Sequence, residues 1–425
     1  MTVNKFIARW GQCVYVGLCV SIVMLGVGRI ESPWGRASVS AWSVSRTTFF
    51  IWLLWKVFVA VRDRQLALAS RRQSIPLSLL LFFILVTLSL LPDFHGASDY
   101  RYFFFASMHF LMLMDLCANE KRARLLLLTL GLAPAILVVR GLLHEPMLLD
   151  ITQMRRFGYP SDHPNIVGYL FSMTLPLGLA IALGEKGLLR VLALISCCAQ
   201  LLALALTYSR GSWLGWAVSM IFLAITMKRR KELAVIVILA ALAAGFVVPL
   251  QGRFVTLFSP RSDLSITDRL QVIDAALNLA LANPVLGVGY GRDRLREGLR
   301  ESRLEMRRIA HTHNIYVELL ATTGLLGLGA FLWLICGAFY QALRHSINRE
   351  APNRPAQLGI AAAWIAFAVT GLGDVPFYHH ETRIFFFSLV ALTYLYARDA
   401  STEVSTIRRS RMERSAGDRN SPNCR

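Results

Sequence analysis

At 425 residues, with 55% hydrophobic and only 17% charged side chains, the chain repeatedly produces apolar runs of about 15 to 20 residues, the length that crosses a bilayer. That pattern excludes an ordinary soluble domain and marks a polytopic membrane protein. A net charge of +19 would suggest nucleic acid in a soluble protein. Here the basic residues sit in short loops between apolar runs, where they set orientation, and no nucleic-acid partner is expected.

About twelve runs have the required length. In chain order they are Gly11 to Gly28, Thr47 to Val61, Ile75 to Leu91, Tyr102 to Cys117, Leu125 to Leu143, Ile166 to Leu183, Val191 to Tyr208, Gly211 to Met227, Leu233 to Leu250, Ile315 to Leu343, Leu358 to Leu372 and Ile384 to Tyr396. With the N-terminus inside, the basic segments Arg62 to Arg72, Lys121 to Arg124, Lys228 to Lys231, Arg344 to Arg354 and the tail after Arg398 all fall in the cytoplasm, as the positive-inside rule requires. Lys56, inside the second run, is expected to snorkel. No lysine faces outward; every basic residue on the outer side is arginine, the side chain suited to a two-point grip on phosphate. The seven cysteines lie in spans or in the tail, so cysteine chemistry is not expected. The first run lacks a small-residue cleavage site and reads as an uncleaved signal anchor.

The expected fold is therefore all-α and integral to the membrane, in five parts. Residues 1–144 carry spans one to five, 145–250 spans six to nine, 251–313 a large helical loop on the outer side, 314–398 spans ten to twelve, and 399–425 a basic cytoplasmic tail. In the fourth span His109 is expected to satisfy a helix contact, with Asp115 near the cytoplasmic end. Pro134 and Pro176 are expected to kink their helices.

Chemistry concentrates on the outer side. Arg155-Arg156 precede Asp162-His163-Pro164-Asn165, a tetrad that reads as the cap of the sixth span; for His163 a capping role and a catalytic one are equally open. Arg210 stands at the start of the eighth span, where free N–H groups and the helix dipole favour an anion, although an interfacial anchor explains it too. In the large loop, Thr267-Asp268 can cap a helix carrying Arg269, with Leu270, Ile273, Leu277 and Leu281 at helical spacing until Asn283-Pro284 stops it. Gly287, Gly289 and Gly291 follow as a flexible turn. A second helix is expected from Arg292 to Arg308, with Arg292, Arg296, Arg300, Arg303 and Arg307 in roughly an 80° arc beside an apolar stripe. A solvated, ion-paired helix and an interfacial one remain equally open for it.

The loop ends on His311-Thr312-His313-Asn314 at the mouth of the tenth span. The sixth, eighth and tenth spans all run inward, so their N-termini can form an anion-binding cup with histidine at its rim. The histidines have no carboxylate companion at metal-ligand spacing. Charge neutralisation then falls to arginine, leaving histidine as a base near neutral pH.

The tract His313-Asn314-Ile315-Tyr316-Val317-Glu318 with Thr323-Gly324-Leu325-Leu326-Gly327-Leu328, the Ser209-Arg210 turn, Thr267-Asp268-Arg269-Leu270 and Gly373-Asp374 together resemble the O-antigen ligase family of lipopolysaccharide assembly. The resemblance runs from Arg155 to Arg383 and implies a GT-C-like membrane glycosyltransferase of the Gram-negative inner membrane, active on the periplasmic face. It implies transfer of O-antigen from undecaprenyl pyrophosphate to lipid A-core oligosaccharide, inverting, with no metal or other cofactor. By the same resemblance His313 would be the base, Arg210 and Arg269 would hold the pyrophosphate, and Glu318 and Asp374 would match recurrent acids. Arg155 or Arg156 would match an arginine before the sixth span, and His311 would orient its neighbour or bind the acceptor. An O-antigen polymerase or a protein O-oligosaccharyltransferase would share these motifs. A transporter or lipid flippase would explain the hydropathy without catalysis, but the polar groups cluster at one face and the halves show no repeat.

Overall fold

The computed structural model describes residues 3–27, 30–31, 38–63, 75–91, 98–144, 156–158, 163–227, 264–300, 311–347 and 351–397. They are almost wholly helical. In order come α1 (Val3–Val27), α2 (Ala41–Asp63), α3 (Leu77–Leu88), α4 (Ser98–Leu116), α5 (Glu120–Leu132), α6 (Pro134–His144), α7 (Pro164–Gly184), α8 (Gly187–Leu206) and α9 (Arg210–Thr226). They continue with α10 (Leu264–Ala282), α11 (Arg292–Gly298), α12 (Ile315–His345), α13 (Arg354–Thr370), a 3-10 turn (Pro376–Tyr378) and α14 (380–397). The only strands among the described residues are β1 (Ile30–Glu31) and β2 (Ser38–Val39), paired antiparallel.

Every expected apolar run falls on one of these helices, the fifth on two (α5 and α6), except Leu233 to Leu250, which lies outside the described residues. So do Arg155, Asp162, Lys228 to Lys231, Arg303, Arg307 and the tail. Among the described residues, five helices are long and apolar enough to cross a membrane: Ser43–Asp63, Glu120–His144, Pro164–Gly184, Gly187–Leu206 and Ile315–His345. α3 is apolar but only 12 residues long, and α9 and α13 have 17 residues each.

Proline acts differently at the two positions where kinks were expected. The fifth run is interrupted by a turn at Ala133, just before Pro134, whereas α7 continues through Pro176. Ring and missing N–H cost a helix about 3 kcal/mol in isolation; α7 is buried along almost its whole length, and packing on α8 and α13 holds it helical. Lys56 does not reach for the surface. Its Nζ lies 2.6 Å from Asp115 Oδ1, and Trp52 Nε1 donates to the other oxygen at 3.0 Å, so α2 and α4 neutralise their charges against each other. His109 does satisfy a helix contact, 2.9 Å from Ser45 Oγ.

The centre of the packing is α13, which lies against both α7 and α9. Gly359 makes the α7 approach possible, since a Cβ there would stand 2.4 Å from that of Ala180. Small residues at crossings let backbones close up where lipid provides no hydrophobic drive. α12 packs on α13 and α3, and its buried aromatic Phe331 meets Phe82, Phe367, Phe377 and Phe386.

α12 is broken in its middle. Gly324 has φ 66° and ψ −170°, and the turn after α10 is inserted at the break. Val288 N donates to Ala321 O at 3.0 Å, Gly289 N to Thr322 O at 2.9 Å, and Leu325 N to Pro284 O at 2.8 Å. Backbone groups on both sides of the break are therefore taken up by the turn, the condition under which non-helical backbone survives at membrane depth. The glycine turn is thus a fixed splint, not a flexible link. Gly324→Ala places a side chain in a backbone conformation essentially restricted to glycine, costing about 1–3 kcal/mol, and a Cβ 2.2 Å from Val285 O. It should lower the thermal unfolding midpoint in detergent markedly, whereas Gly329→Ala, where a Cβ meets nothing within 4 Å, should leave it unchanged.

Candidate functional site

Three helix starts and one helix end meet at the same pole. Gly168 near the start of α7 lies against Ser209 and Ser212 of α9, Gly211 against Gly373, and Ile315 N at the start of α12 donates to Gly371 O at 2.9 Å. The convergence expected of the sixth, eighth and tenth spans is realised, and the fourth participant is the loop that follows α13.

That loop carries Asp374, which is buried and is shared by the neighbouring segments. Oδ1 lies 2.5 Å from His311 Nε2 and 3.4 Å from His313 Nδ1, and accepts from Val375 N at 2.8 Å. Oδ2 accepts from Asn165 Nδ2 at 3.0 Å. Burial opposes ionisation, but the hydrogen bond from His311 and the close approach of His313 hold the carboxyl well below the usual carboxylate range. The same contact acts in reverse on His311: burial lowers its pKa, and Asp374 more than reverses this, leaving it raised. The two imidazole rings are 4.1 Å apart.

No carboxylate stands at metal-ligand spacing from the histidines in the sequence, but the fold supplies one, because Asp374 arrives from 63 positions beyond His311. One ligand atom each from His311, His313 and Asp374 lies within 4.8 Å of the others, a set able to hold a cation.

One residue away, Gly373 forms part of the wall of a cavity of about 210 Å³ lined also by Arg156, Asn165, Tyr169, Tyr208, Ser209, Arg210, Gly211 and Arg269. Three arginines from three separate segments therefore face one space. Arg156 is anchored by Nε to Thr207 O at 2.8 Å and by Nη2 to Asn165 Oδ1 at 2.9 Å, and Arg269 Nη1 lies 3.5 Å from Gly373 O. Arg210 is the first residue of α9, with Ser209 at the N-cap position. Helix N-terminus and guanidinium groups together make this an anion site by charge and by donor supply.

Strain marks the same place. The only non-glycine residues with positive φ among those described are Tyr208 (52°) in the cavity wall and His313 (56°), a conformation costing about 1–3 kcal/mol. The His311–His313 turn is held by what lies beneath it. Asn314 caps α12, its Oδ1 accepting from Tyr316 N at 3.0 Å and Val317 N at 3.1 Å. Glu318 is buried, accepting from Thr312 N at 2.7 Å and from Tyr378 OH at 2.5 Å. Glu318 thus braces the turn from below.

The remaining expected residues divide. His163 occupies the N-cap position of α7 without a side-chain capping bond, its ring 5.8 Å from that of His379. α10 begins at Leu264, so Thr267 and Asp268 stand inside it instead of before it. α11 spans seven residues instead of running to Arg308, and 301–310 lie outside the described residues. Arg292 belongs to no outward ridge: it makes a two-point contact with the buried carboxylate of Asp99 in α4, at 3.2 and 3.1 Å. Beside it, fully buried Arg383 donates to the backbone oxygens of Asp99 and Phe377.

Sequence reasoning missed Asn165, Tyr169, Tyr378 and His379 as parts of this site. Asn165 was the last member of the capping tetrad, and His379 follows Gly373-Asp374 by a few positions; no local pattern marks either tyrosine. Burial, with His311 and His163 nearby, pushes the His379 pKa down to about 3, so this ring is neutral near pH 7.

Residues 193–332 match the family model described as O-Antigen ligase, which bears out the resemblance seen in the motifs. The matched stretch contains Arg210, Arg269, His311, His313 and Glu318. Over 147 residues the chain is 24% identical to "Exopolysaccharide production protein ExoQ" of Rhizobium meliloti (strain 1021), covering 33% of this chain and 34% of that one. The chain thus matches about a third of the length of this curated relative.

Removal of Glu318 should undo the turn. Glu318→Leu leaves Thr312 N–H buried without an acceptor and should cost about 1–3 kcal/mol, read as a lower melting midpoint in detergent. Glu318→Gln, which keeps an acceptor oxygen, should recover part of that loss.

Proposed function

We propose that this chain is an O-antigen ligase, moving a finished O-antigen from undecaprenyl pyrophosphate to the lipid A-core oligosaccharide on the periplasmic face of a Gram-negative inner membrane. The observation that carries this reading is the sharing of one dipeptide, Gly373-Asp374, between a three-arginine cavity and a histidine pair. The family match over residues 193–332 supports the same reading. In it the chain has about twelve spans, both termini are cytoplasmic, and the α10–α11 region forms a periplasmic loop.

The chemistry follows from the residues. An acceptor hydroxyl attacks C1 of the first sugar, the bond from C1 to the pyrophosphate oxygen breaks, and the hydroxyl proton passes to a base. His313 takes the proton: Asp374 engages its Nδ1 edge, and no described residue hydrogen-bonds its Nε2. His311, drawn towards the protonated state by Asp374, keeps the carboxylate in place and faces the acceptor. A positioned base of this kind contributes about 10² to 10⁴ in rate. Arg156, Arg210 and Arg269 take the charge that develops on the leaving pyrophosphate, and preorganised donors are most effective in a water-poor site. Arg155 stands beside this set in sequence. His163 serves the rim of the site and Glu318 the shape of its floor. Displacement from the face opposite the leaving group gives inversion.

A second reading has support of its own, since the relative is named for exopolysaccharide production: polymerisation of lipid-linked repeat units on the same donor. Lipopolysaccharide gels of a deletion strain separate the two. Unligated O-antigen retained on undecaprenyl pyrophosphate is expected; core bearing a single repeat unit would establish the polymerase instead.

His313→Ala should abolish ligation, by at least about 10² in rate, while the protein inserts at normal level in membrane fractions. Arg210→Lys should be badly impaired, because an ammonium cannot make the planar two-point grip, and normal capping of core with lysine there would refute the assigned role. Purified enzyme treated with chelator should keep its activity; loss restored by a divalent ion would show that His311, His313 and Asp374 hold a metal.

A further inference from the structure

α10 is apolar on two sides, and among the described residues only one of them is packed against the rest of the protein. The inward side is built of small and medium residues: Ala276 and Ala280 are buried, with Val272, Ala275 and Leu279 packed around them against Leu295 and Leu299 near α11 and Val317, Leu320 and Ala321 of α12. The outward side holds the large residues. Leu270 is 60% exposed, Leu277 38% and Leu281 78%, and at about 100° per residue these three fall within roughly a 40° arc. Gln271, Asp274 and Asn278, also exposed, occupy the neighbouring arc. The leucine spacing noticed in the sequence therefore does not mark the face that packs; the alanines do.

This outward stripe does not end with the helix. Val285 and Leu286 in the following turn are exposed, and the turn is hydrogen-bonded to α12 beside the exposed Leu325 and Leu326. Those residues belong to a helix long and apolar enough to cross a membrane, which continues with exposed Leu332, Trp333 and Tyr340. The leucine stripe is thus the extension of a lipid-facing surface. A narrow apolar arc flanked by a polar one is the pattern of a helix lying in the membrane interface.

We propose that the Leu270–Leu277–Leu281 stripe, with Val285 and Leu286, is embedded among the lipid chains of the leaflet on the cavity's side of the membrane. Arg269 lies about 100° round the helix from Leu270 and reaches Gly373 in the cavity wall. Embedding the stripe therefore fixes the height of this guanidinium at the membrane surface, where the phosphates of any lipid-linked anion lie. The proposal goes beyond the glycan-transfer reading and does not require it.

The test uses the full unmodified chain in nanodiscs containing a phospholipid with a diazirine in its acyl chain. After illumination, adducts should map by peptide mass spectrometry to Leu270, Leu277, Leu281 and Val285 as well as to Leu325 and Leu326, while Asp274 and Asn278 take several-fold less. Lipid adducts on Leu325 and Leu326 with none on the α10 stripe would overturn the proposal. In that case labelling of the stripe by a water-soluble diazirine would mean that it faces solvent, and labelling by neither reagent that another segment of this chain covers it. No transfer assay enters, so failure of the proposed reaction and failure of this inference are distinguishable.

Discussion

The arrangement depends on one buried carboxylate. Removing Asp374 from water is costly unless its charge is met, and the groups that meet it come from three places: Asn165 at the start of α7, the His311–His313 turn before α12, and the backbone of Val375. Each charge-assisted bond is worth about 1.5–3 kcal/mol, so satisfying the carboxylate also ties together the segments that carry the histidines and, through Asn165, Arg156. The requirement to neutralise one charge thereby organises a site from elements far apart in the chain.

The helices make that meeting possible by ending where they do. α13 packs closely on α7 and α9, so its C-terminal loop emerges beside their N-termini. The break at Gly324 serves the same end from the other direction. By accepting the turn that follows α10 into the middle of α12, it anchors α10 against the span whose first turn carries the histidines. Arg269 and His313 are thus held on one body. A site built on loops alone would lack this rigidity, and Asp99, whose carboxylate pairs with Arg292 and whose backbone oxygen accepts from Arg383, ties α4 to the start of α11 and to α14.

Hydropathy made most of the helices legible, because a run of apolar residues has few alternatives to a helix. The arginines and histidines of the site were legible as residue types placed at helix starts. What could not be read was anything decided by partners distant in sequence. Asp374 was visible, but not as the companion of two histidines, since metal-ligand and triad arguments from sequence look for local spacing. Lys56 looked like a snorkelling side chain because Asp115 sits on another helix. In α10 the leucines drew attention as the larger apolar residues, whereas close approach to α12 and α11 selects the alanines. Pro134 and Pro176 are chemically identical, and only the packing around α7 distinguishes them.

The division of labour at Gly373-Asp374 narrows what chemistry can occur there. Gly373 contributes to the wall of a space lined by arginine, while the next residue binds two imidazoles. The cavity wall and the histidine pair therefore share one loop, and the carboxylate of Asp374 is already committed to the histidines and is not available as a nucleophile. A covalent intermediate on Asp374 would require it to give up the contacts that keep it ionised. For the glycan transfer proposed above, this arrangement favours a single displacement, with a histidine as the proton acceptor and the arginines meeting the charge of the leaving group.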